Sequence, residues 1–322
     1  MSAHWNERSE GGGRAGLWTI FRIGLACGRR VTRVLLYPIT LYFFLRRSGE
    51  RRAARDYLAR MFGRPAGAWG VMRLMHAYAA TTLDRIYLLT DKVADFDIRV
   101  HGLDDLHEQM DRGRGVLLVG AHVGSFEALR VLSLRREDVE VRVVLDTQAT
   151  PVMTELLHAL NPKIAAGVID ASRPGHEVVL ALHEAMQQCA LATLLGDRAR
   201  PGEATVVVDF LGSPARFPVA PFLIASMLKV PLVFCVGLYG GGARYDLHFE
   251  TLAADLKLPR RAREAELKAI VQLYAQRLEH HVRAHPWNWF NFHDFWNLDA
   301  PTVPDCGVAA GLPVDALAGR GR

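Results

Sequence analysis

The sequence predicts an α/β protein with a mainly parallel central sheet flanked by helices, preceded by a basic, apolar, membrane-associating helical segment. Three observations carry that prediction. Short β-rich runs alternate with longer runs of helical period from Val116 onward, the pattern of strand–helix–strand units. Half of the 322 residues are apolar and 23% are charged, which suffices for a large core and excludes a mostly disordered chain. The charge is also lopsided: residues 1–60 hold 12 arginines, no lysine and 4 acids, a net +8, whereas the rest of the chain carries −3.

Taken in order, residues 1–15, with Gly11-Gly12-Gly13, read as a disordered tail. Residues 16–60 read as the membrane-associating segment. Its uncharged stretch from Val34 to Leu45 is flanked by Arg29, Arg30 and Arg33 before and by Arg46, Arg47, Arg51 and Arg52 after. A nucleic-acid arm has no use for so much apolar surface, whereas anionic lipid rewards both features. Twelve helical residues reach about 18 Å, short of a roughly 30 Å hydrocarbon core. No small-residue cleavage site follows the stretch, which ends in Arg46-Arg47-Ser48-Gly49, so a cleaved signal is rejected. An interfacial hairpin or shallow helix, with arginines reaching phosphate headgroups, fits best.

Residues 61–298 read as the α/β domain. Positions 50–90 carry helical spacing. Strands are expected at Val116–Gly120, Val139–Leu145, Ile164–Ile169, Leu191–Leu195, Thr205–Phe210 and Pro231–Leu238. Helices are expected at Phe126–Leu134, Pro151–Leu160, Gly175–Cys189, Ala220–Leu228 and 260–284. From Asp299 a Pro-, Gly- and Ala-rich stretch reads as a loose tail (299–322). Four scattered cysteines with no Cys-x-x-Cys pair argue against a disulfide scaffold or zinc-thiolate site and for a reduced, cytoplasm-facing location.

Gly120-Ala121-His122-Val123-Gly124-Ser125-Phe126-Glu127 directly follows the apolar run Val116–Val119. This places an imidazole at the carboxyl edge of a sheet, where open α/β folds bind ligands. Ser125 is a candidate helix N-cap. Glu127 is a candidate carboxylate for one nitrogen of His122, leaving the other to take a proton from a hydroxyl. A serine hydrolase is excluded, because His122 occupies the place of the elbow nucleophile and Ser125 is out of register. A second such loop, Gly196-Asp197-Arg198, follows Leu191–Leu195, and a Phe/Gly/Pro block runs from Phe210 to Pro221. Six aromatics between Trp287 and Trp296 read as core packing, an interfacial belt or part of an acyl groove. His293-Asp294 lacks a third metal ligand at useful spacing.

These residues together resemble the bacterial lipid A biosynthesis (lauroyl/myristoyl-type) acyltransferases of the lysophospholipid acyltransferase superfamily. His122 and Glu127 match the HxxxxE hallmark, Gly196-Asp197-Arg198 the Gly-Asp-Arg, and Phe210 to Pro221 the Phe/Gly/Pro block. His285-Pro286-Trp287 and the basic apolar N-terminus match as well, so the resemblance covers about residues 20–297. It implies a membrane-associated transferase that moves a fatty acyl chain from acyl carrier protein or coenzyme A to a hydroxyl or amine of a lipid acceptor. The cytoplasmic face of the inner membrane is the expected location, and no metal, cofactor or nucleic acid is involved. His122 would be the general base, oriented by Glu127. Arg198 would bind a phosphate or stabilise the oxyanion, and Asp197 and Gly196 would shape its loop. Arg142 and Arg216 are further candidates for phosphate contact. The competing reading is a non-catalytic membrane-bound lipid-binding or scaffold protein on the same fold.

Overall fold

The structure, a computed structural model, describes residues 13–130, 140–200 and 202–298. The tails expected at 1–12 and 299–322 lie outside the described residues. Residues 13–15, read from sequence as part of the tail, already belong to helix α1 (Gly13–Arg46). There follow α2 (Ser48–Phe62), α3 (Ala68–Leu88), β1 (Asp97–His101), α4 (Leu103–Met110) and β2 (Val116–Gly120). A 3-10 turn (Phe126–Arg130) precedes β3 (Val141–Leu145), α5 (Pro151–Leu160), α6 (Pro162–Ala166), β4 (Val168–Asp170), α7 (Gly175–Gln187) and β5 (Leu191–Leu195). The chain continues through β6 (Thr205–Phe210), β7 (Ser213–Pro218), α8 (Ala220–Leu228), β8 (Leu232–Gly241), β9 (Arg244–Ala253) and α9 (Arg263–Ala284).

Seven strands form one sheet in the order β1-β9-β8-β2-β5-β3-β4, parallel throughout except for the β8–β9 hairpin. Strands β6 and β7 make a separate antiparallel ribbon. Period-2 alternation sends β2 side chains to two cores. Leu117 and Val119 join Phe234, Tyr274 and Leu278 on one side, while Val116 and Leu118 join Cys235, Leu83 and Tyr87 on the other. Burial on both faces is why β2 reads as an unbroken apolar run. The α/β class with a mainly parallel sheet is thus the observed one.

Several elements differ from the sequence reading. The run Ile164–Ile169 is split: Asn161 accepts from the Ile164 N–H and caps α6, so only Val168–Asp170 is left to form a strand. The expected helix at Phe126–Leu134 is a 3-10 turn over its first five residues, and its remainder, like Val139, lies outside the described residues. β1, β7 and β9 were not expected; β9 rests on pairing with β8, which no local pattern reveals.

The N-terminal helices pack as part of this body. Tyr57 and Leu58 of α2 are buried in the larger core, and α2 runs across the boundary expected at residue 60. Helix α1 breaks at Gly28, where φ is +78°, a value glycine adopts without a Cβ clash. Two of its arginines turn inward. Arg29 Nε donates to Asp84 at 2.7 Å, Arg33 lies 3.7 Å from the same carboxylate, and both donate to the Gly242 carbonyl. Asp84 is fully buried and also accepts from the Tyr245 hydroxyl at 3.0 Å. The expectation that Arg29 and Arg33 face lipid headgroups is therefore corrected: a buried carboxylate needs paired cations, and the helix supplies them. Arg51 closes the carboxyl end of α1 by donating to the Phe44 and Leu45 carbonyls. The face of α1 turned away from the body exposes Val31, Val34, Tyr37, Leu41, Tyr42 and Leu45. Among the described residues, no helix is long and apolar enough to cross a membrane.

Candidate active site

The site is set by strand register. β2 and β5 lie side by side and parallel, with Gly120 opposite Leu195. The second residue beyond each paired position is His122 on one strand and Asp197 on the other. The two loops stay joined as they leave the sheet, because Gly196 N–H donates to the Gly120 carbonyl at 2.9 Å and the Tyr274 hydroxyl donates to the same oxygen at 2.7 Å. A side chain at Gly196 would collide with Val119 at 2.7 Å.

His122 Nδ1 meets Asp197 Oδ1 at 2.7 Å. Asp197 Oδ2 accepts three more bonds, each at 3.0 Å: from the His122 main-chain N–H, from Trp289 Nε1 and from Asn291 Nδ2. The carboxylate is fully buried, while the His122 side chain keeps 28% exposure, so the ring is reachable from solvent. Its Nε2 makes no hydrogen bond among the described residues.

Burial alone would raise the Asp197 pKa, but the His122 contact, its hydrogen bonds and Arg198 hold it well below the usual carboxylate range. Burial and then the Arg198 charge lower the His122 pKa against the opposing pull of Asp197. The imidazole is consequently neutral near pH 7, the state in which it can accept a proton.

Glu127 does not serve as the expected partner of His122. Its Oε2 accepts from the Ser125 hydroxyl at 2.9 Å, and its Oε1 lies 3.0 Å from Arg85 Nε on α3. The reason is local geometry. Gly124 has φ +60° and its N–H donates to the Asn288 carbonyl, while Ser125 N–H donates to Gly237 O. The chain is thereby laid along β8 and carries Glu127 toward α3. A Cβ at Gly124 would sit 1.9 Å from the Gly237 oxygen, and one at Gly237 2.3 Å from the Ser125 oxygen. Ser125, expected to cap a helix, instead spends its hydroxyl on Glu127.

Arg198 stays at the site but points its described bonds at the chain. It donates through Nη2 to the Phe290 carbonyl at 2.8 Å and through Nε to Asn291. Arg142 and Arg216 are not gathered there. Arg142 pairs with Glu140 at 2.8 Å and lines a cavity of about 220 Å³ with Asp170, Arg173 and Glu177. Arg216, on the β6–β7 ribbon, donates to the Leu298 carbonyl at 3.0 Å.

Sequence reasoning missed Arg85, Trp289 and Asn291. The aromatic stretch read as packing does pack, with Trp289 against Tyr57, Phe210 and Phe295. It is also a strap over the site: Val123 bridges to Trp289, and Phe290 N–H donates to the His122 carbonyl at 2.8 Å. The two Asn residues interleaved with its aromatics are the signal that could have marked it. Among the described residues, no three His, Cys, Asp or Glu side chains converge as a metal site would require.

An imidazole tied by one nitrogen to a buried carboxylate, with its other nitrogen exposed at the carboxyl edge of a parallel sheet, is suited to deprotonating a hydroxyl. A parallel α/β fold with a His–Asp pair at the carboxyl edge of its sheet is the class this arrangement defines. The family model of the bacterial lipid A biosynthesis acyltransferases matches residues 15–297. The chain belongs to that family and is an acyltransferase of lipid biosynthesis. No match was found among the curated proteins.

Proposed function

We propose that the protein transfers a fatty acyl chain from an acyl thioester to a hydroxyl or amine of a lipid acceptor, with His122 as general base and Asp197 as the carboxylate that orients it. The observation that carries the reading is the 2.7 Å contact between His122 Nδ1 and a fully buried Asp197. In the reaction, Nε2 takes the acceptor proton as its oxygen or nitrogen bonds to the thioester carbonyl carbon. The tetrahedral intermediate then collapses, the carbon–sulfur bond breaks, and the imidazolium returns the proton to the leaving thiolate. No acyl-enzyme is formed. The Asp197 carboxylate stabilises the transient imidazolium. Arg198 contributes its charge, which favours neutral His122 between turnovers. Glu127, fixed by Arg85 and Ser125, shapes the loop that carries His122.

The donor is acyl carrier protein or coenzyme A, and the acceptor lies in an anionic membrane surface at the cytoplasmic face of the inner membrane. The exposed face of α1, with Tyr37, Leu41, Tyr42 and Leu45 turned outward, supports that docking. Such aromatic and aliphatic side chains gain about 1.5–3 kcal/mol each on full burial, and nearby arginines add attraction to anionic lipid.

The test presents purified protein with long-chain acyl carrier protein or acyl-coenzyme A together with a lipid extract, and reads acylated lipid by mass spectrometry. Wild type should turn over at least one donor, and His122→Ala should lose nearly all turnover. Wild-type rate in His122→Ala sinks the mechanism, and a well-folded wild type inert with both donors favours a lipid-binding role. Flotation with anionic vesicles should carry wild type and leave a Leu41→Asp, Leu45→Asp double variant behind.

A further inference from the structure

The Asp197 carboxylate divides its bonds unequally. Oδ1 has the imidazole alone, while Oδ2 receives the His122 main-chain N–H, the Trp289 indole N–H and the Asn291 amide. Two of those donors come from the strap, more than 90 residues further along the chain. Trp289 is fully buried and Asn291 nearly so, so both bonds are shielded from solvent. We propose that Trp289 and Asn291 are positioning residues for proton transfer: by pinning Oδ2 they leave Oδ1 a single direction, along the His122 Nδ1–H bond, and set how strongly the carboxylate supports the imidazolium. The proposal rests on the reading of His122 as the base.

The physical reason is the number of donors. A carboxylate plane held on one oxygen by three N–H groups cannot rotate, and each donor withdraws negative charge from it. Removing a donor makes the carboxylate more basic and strengthens its hold on the imidazolium. The His122 pKa then rises, and the imidazole becomes protonated at a higher pH. The other charged or titratable groups around the pair are Arg198 from its own loop, Arg85 from α3, Glu127 from the 3-10 turn, and the phenols of Tyr274 and Tyr78. None of these is altered by Trp289→Phe, which deletes the indole N–H and keeps an aromatic ring in place. Asn291→Leu deletes the amide donor, but it also releases Arg198 Nε, so it is the second probe.

A matched control sits seven residues away. Trp296 belongs to the same aromatic cluster, 5.7 Å from Trp289 between ring centroids, yet its indole N–H is spent on the Phe210 carbonyl at 3.3 Å. Trp296→Phe is therefore the same chemical change with no effect on Asp197. The experiment measures kcat/KM against pH for wild type, Trp289→Phe, Asn291→Leu and Trp296→Phe, with melting temperatures for all four. The expected result is a plateau lowered about ten-fold in the first two variants, because a carboxylate free to turn no longer holds the imidazole in line with the acceptor, with the acid limb displaced to higher pH. In Trp296→Phe the limb stays where it is in wild type. An unmoved limb in Trp289→Phe, or an equal displacement in Trp296→Phe, overturns the proposal. If Trp289→Phe does not fold, Trp289→Leu takes its place, since it deletes the same donor and leaves the contact of Asn291 with Arg198 intact; an unmoved limb there overturns the proposal in the same way. Wild-type rate in His122→Ala would instead overturn the function itself, so the two failures are distinguishable.

Discussion

Replacing Asp197 by Asn tests which carboxylate serves the base, and the hydrogen bonds around it fix the expected size. Asn offers one acceptor oxygen where the wild type offers two. If that oxygen faces the three donors now on Oδ2, the amide nitrogen faces His122 Nδ1 across 2.7 Å. If the amide is flipped, its N–H groups meet three buried donors, at about 1–3 kcal/mol for each donor left unpaired. The first orientation wins. It forces Nδ1 to accept and puts the imidazole proton on Nε2, so the base is lost while the fold is kept. General-base assistance is typically worth about 10²–10⁴-fold, or about 3–5 kcal/mol of barrier, and kcat/KM should fall by that factor with little change in melting temperature. The assay is acyl transfer to extracted lipid under saturating donor, run beside Glu127→Gln. Glu127 contacts Arg85 through Oε1 and Ser125 through Oε2; glutamine keeps both contacts by accepting from Arg85 with its oxygen and donating its amide N–H to the Ser125 hydroxyl oxygen, so this variant should lose about ten-fold or less. Near-wild-type rate in Asp197→Asn, with activity abolished in Glu127→Gln, would refute the assignment and return the role to Glu127.

Three further outcomes are expected. Gly124→Ala should lower stability by about 2 kcal/mol from its positive φ alone, roughly 5 °C in melting temperature. It should also abolish turnover, because its Cβ would lie 1.9 Å from the Gly237 oxygen; thermal unfolding and the transfer assay check both. Asp84→Ala strips Arg29 of its buried counter-charge and should cost about 3 kcal/mol, seen in urea unfolding and in faster proteolysis of α1. His248, half-buried between His101 and His281, has its pKa lowered to about 4 by burial and by those two neighbours. The unfolded chain therefore takes up this proton first, so stability falls as pH drops from about 6.5 toward 4. His248→Gln should flatten that decline in urea midpoints measured at pH 7.5 and 5.

The strands buried on both faces were legible because their signal is local: four consecutive apolar residues before Gly120 in Val116–Gly120, and four apolar residues out of five, with Thr193 between them, in Leu191–Leu195. The same holds for the loops that follow them, since Gly120 and Gly196 punctuate each strand end. From these alone the sequence determines an α/β protein with His122 at a sheet edge and Asp197 in a second loop of the same kind. It also determines the apolar stretch of α1, whose outward face the structure leaves exposed.

What the sequence does not contain is which strand lies beside which. Parallel pairing of β2 with β5 at Gly120–Leu195 joins residues 75 positions apart, and it makes Asp197 the partner of His122. Five-residue spacing along the chain favoured Glu127, but chain proximity yields to register once Gly124 is laid on Gly237. The inward turn of Arg29 and Arg33 was hidden for a related reason: arginines beside an apolar stretch look the same in sequence whether they meet lipid or a buried carboxylate. Asp84, from a helix 55 residues away from Arg29, decides it, because a carboxylate removed from water must find a cation.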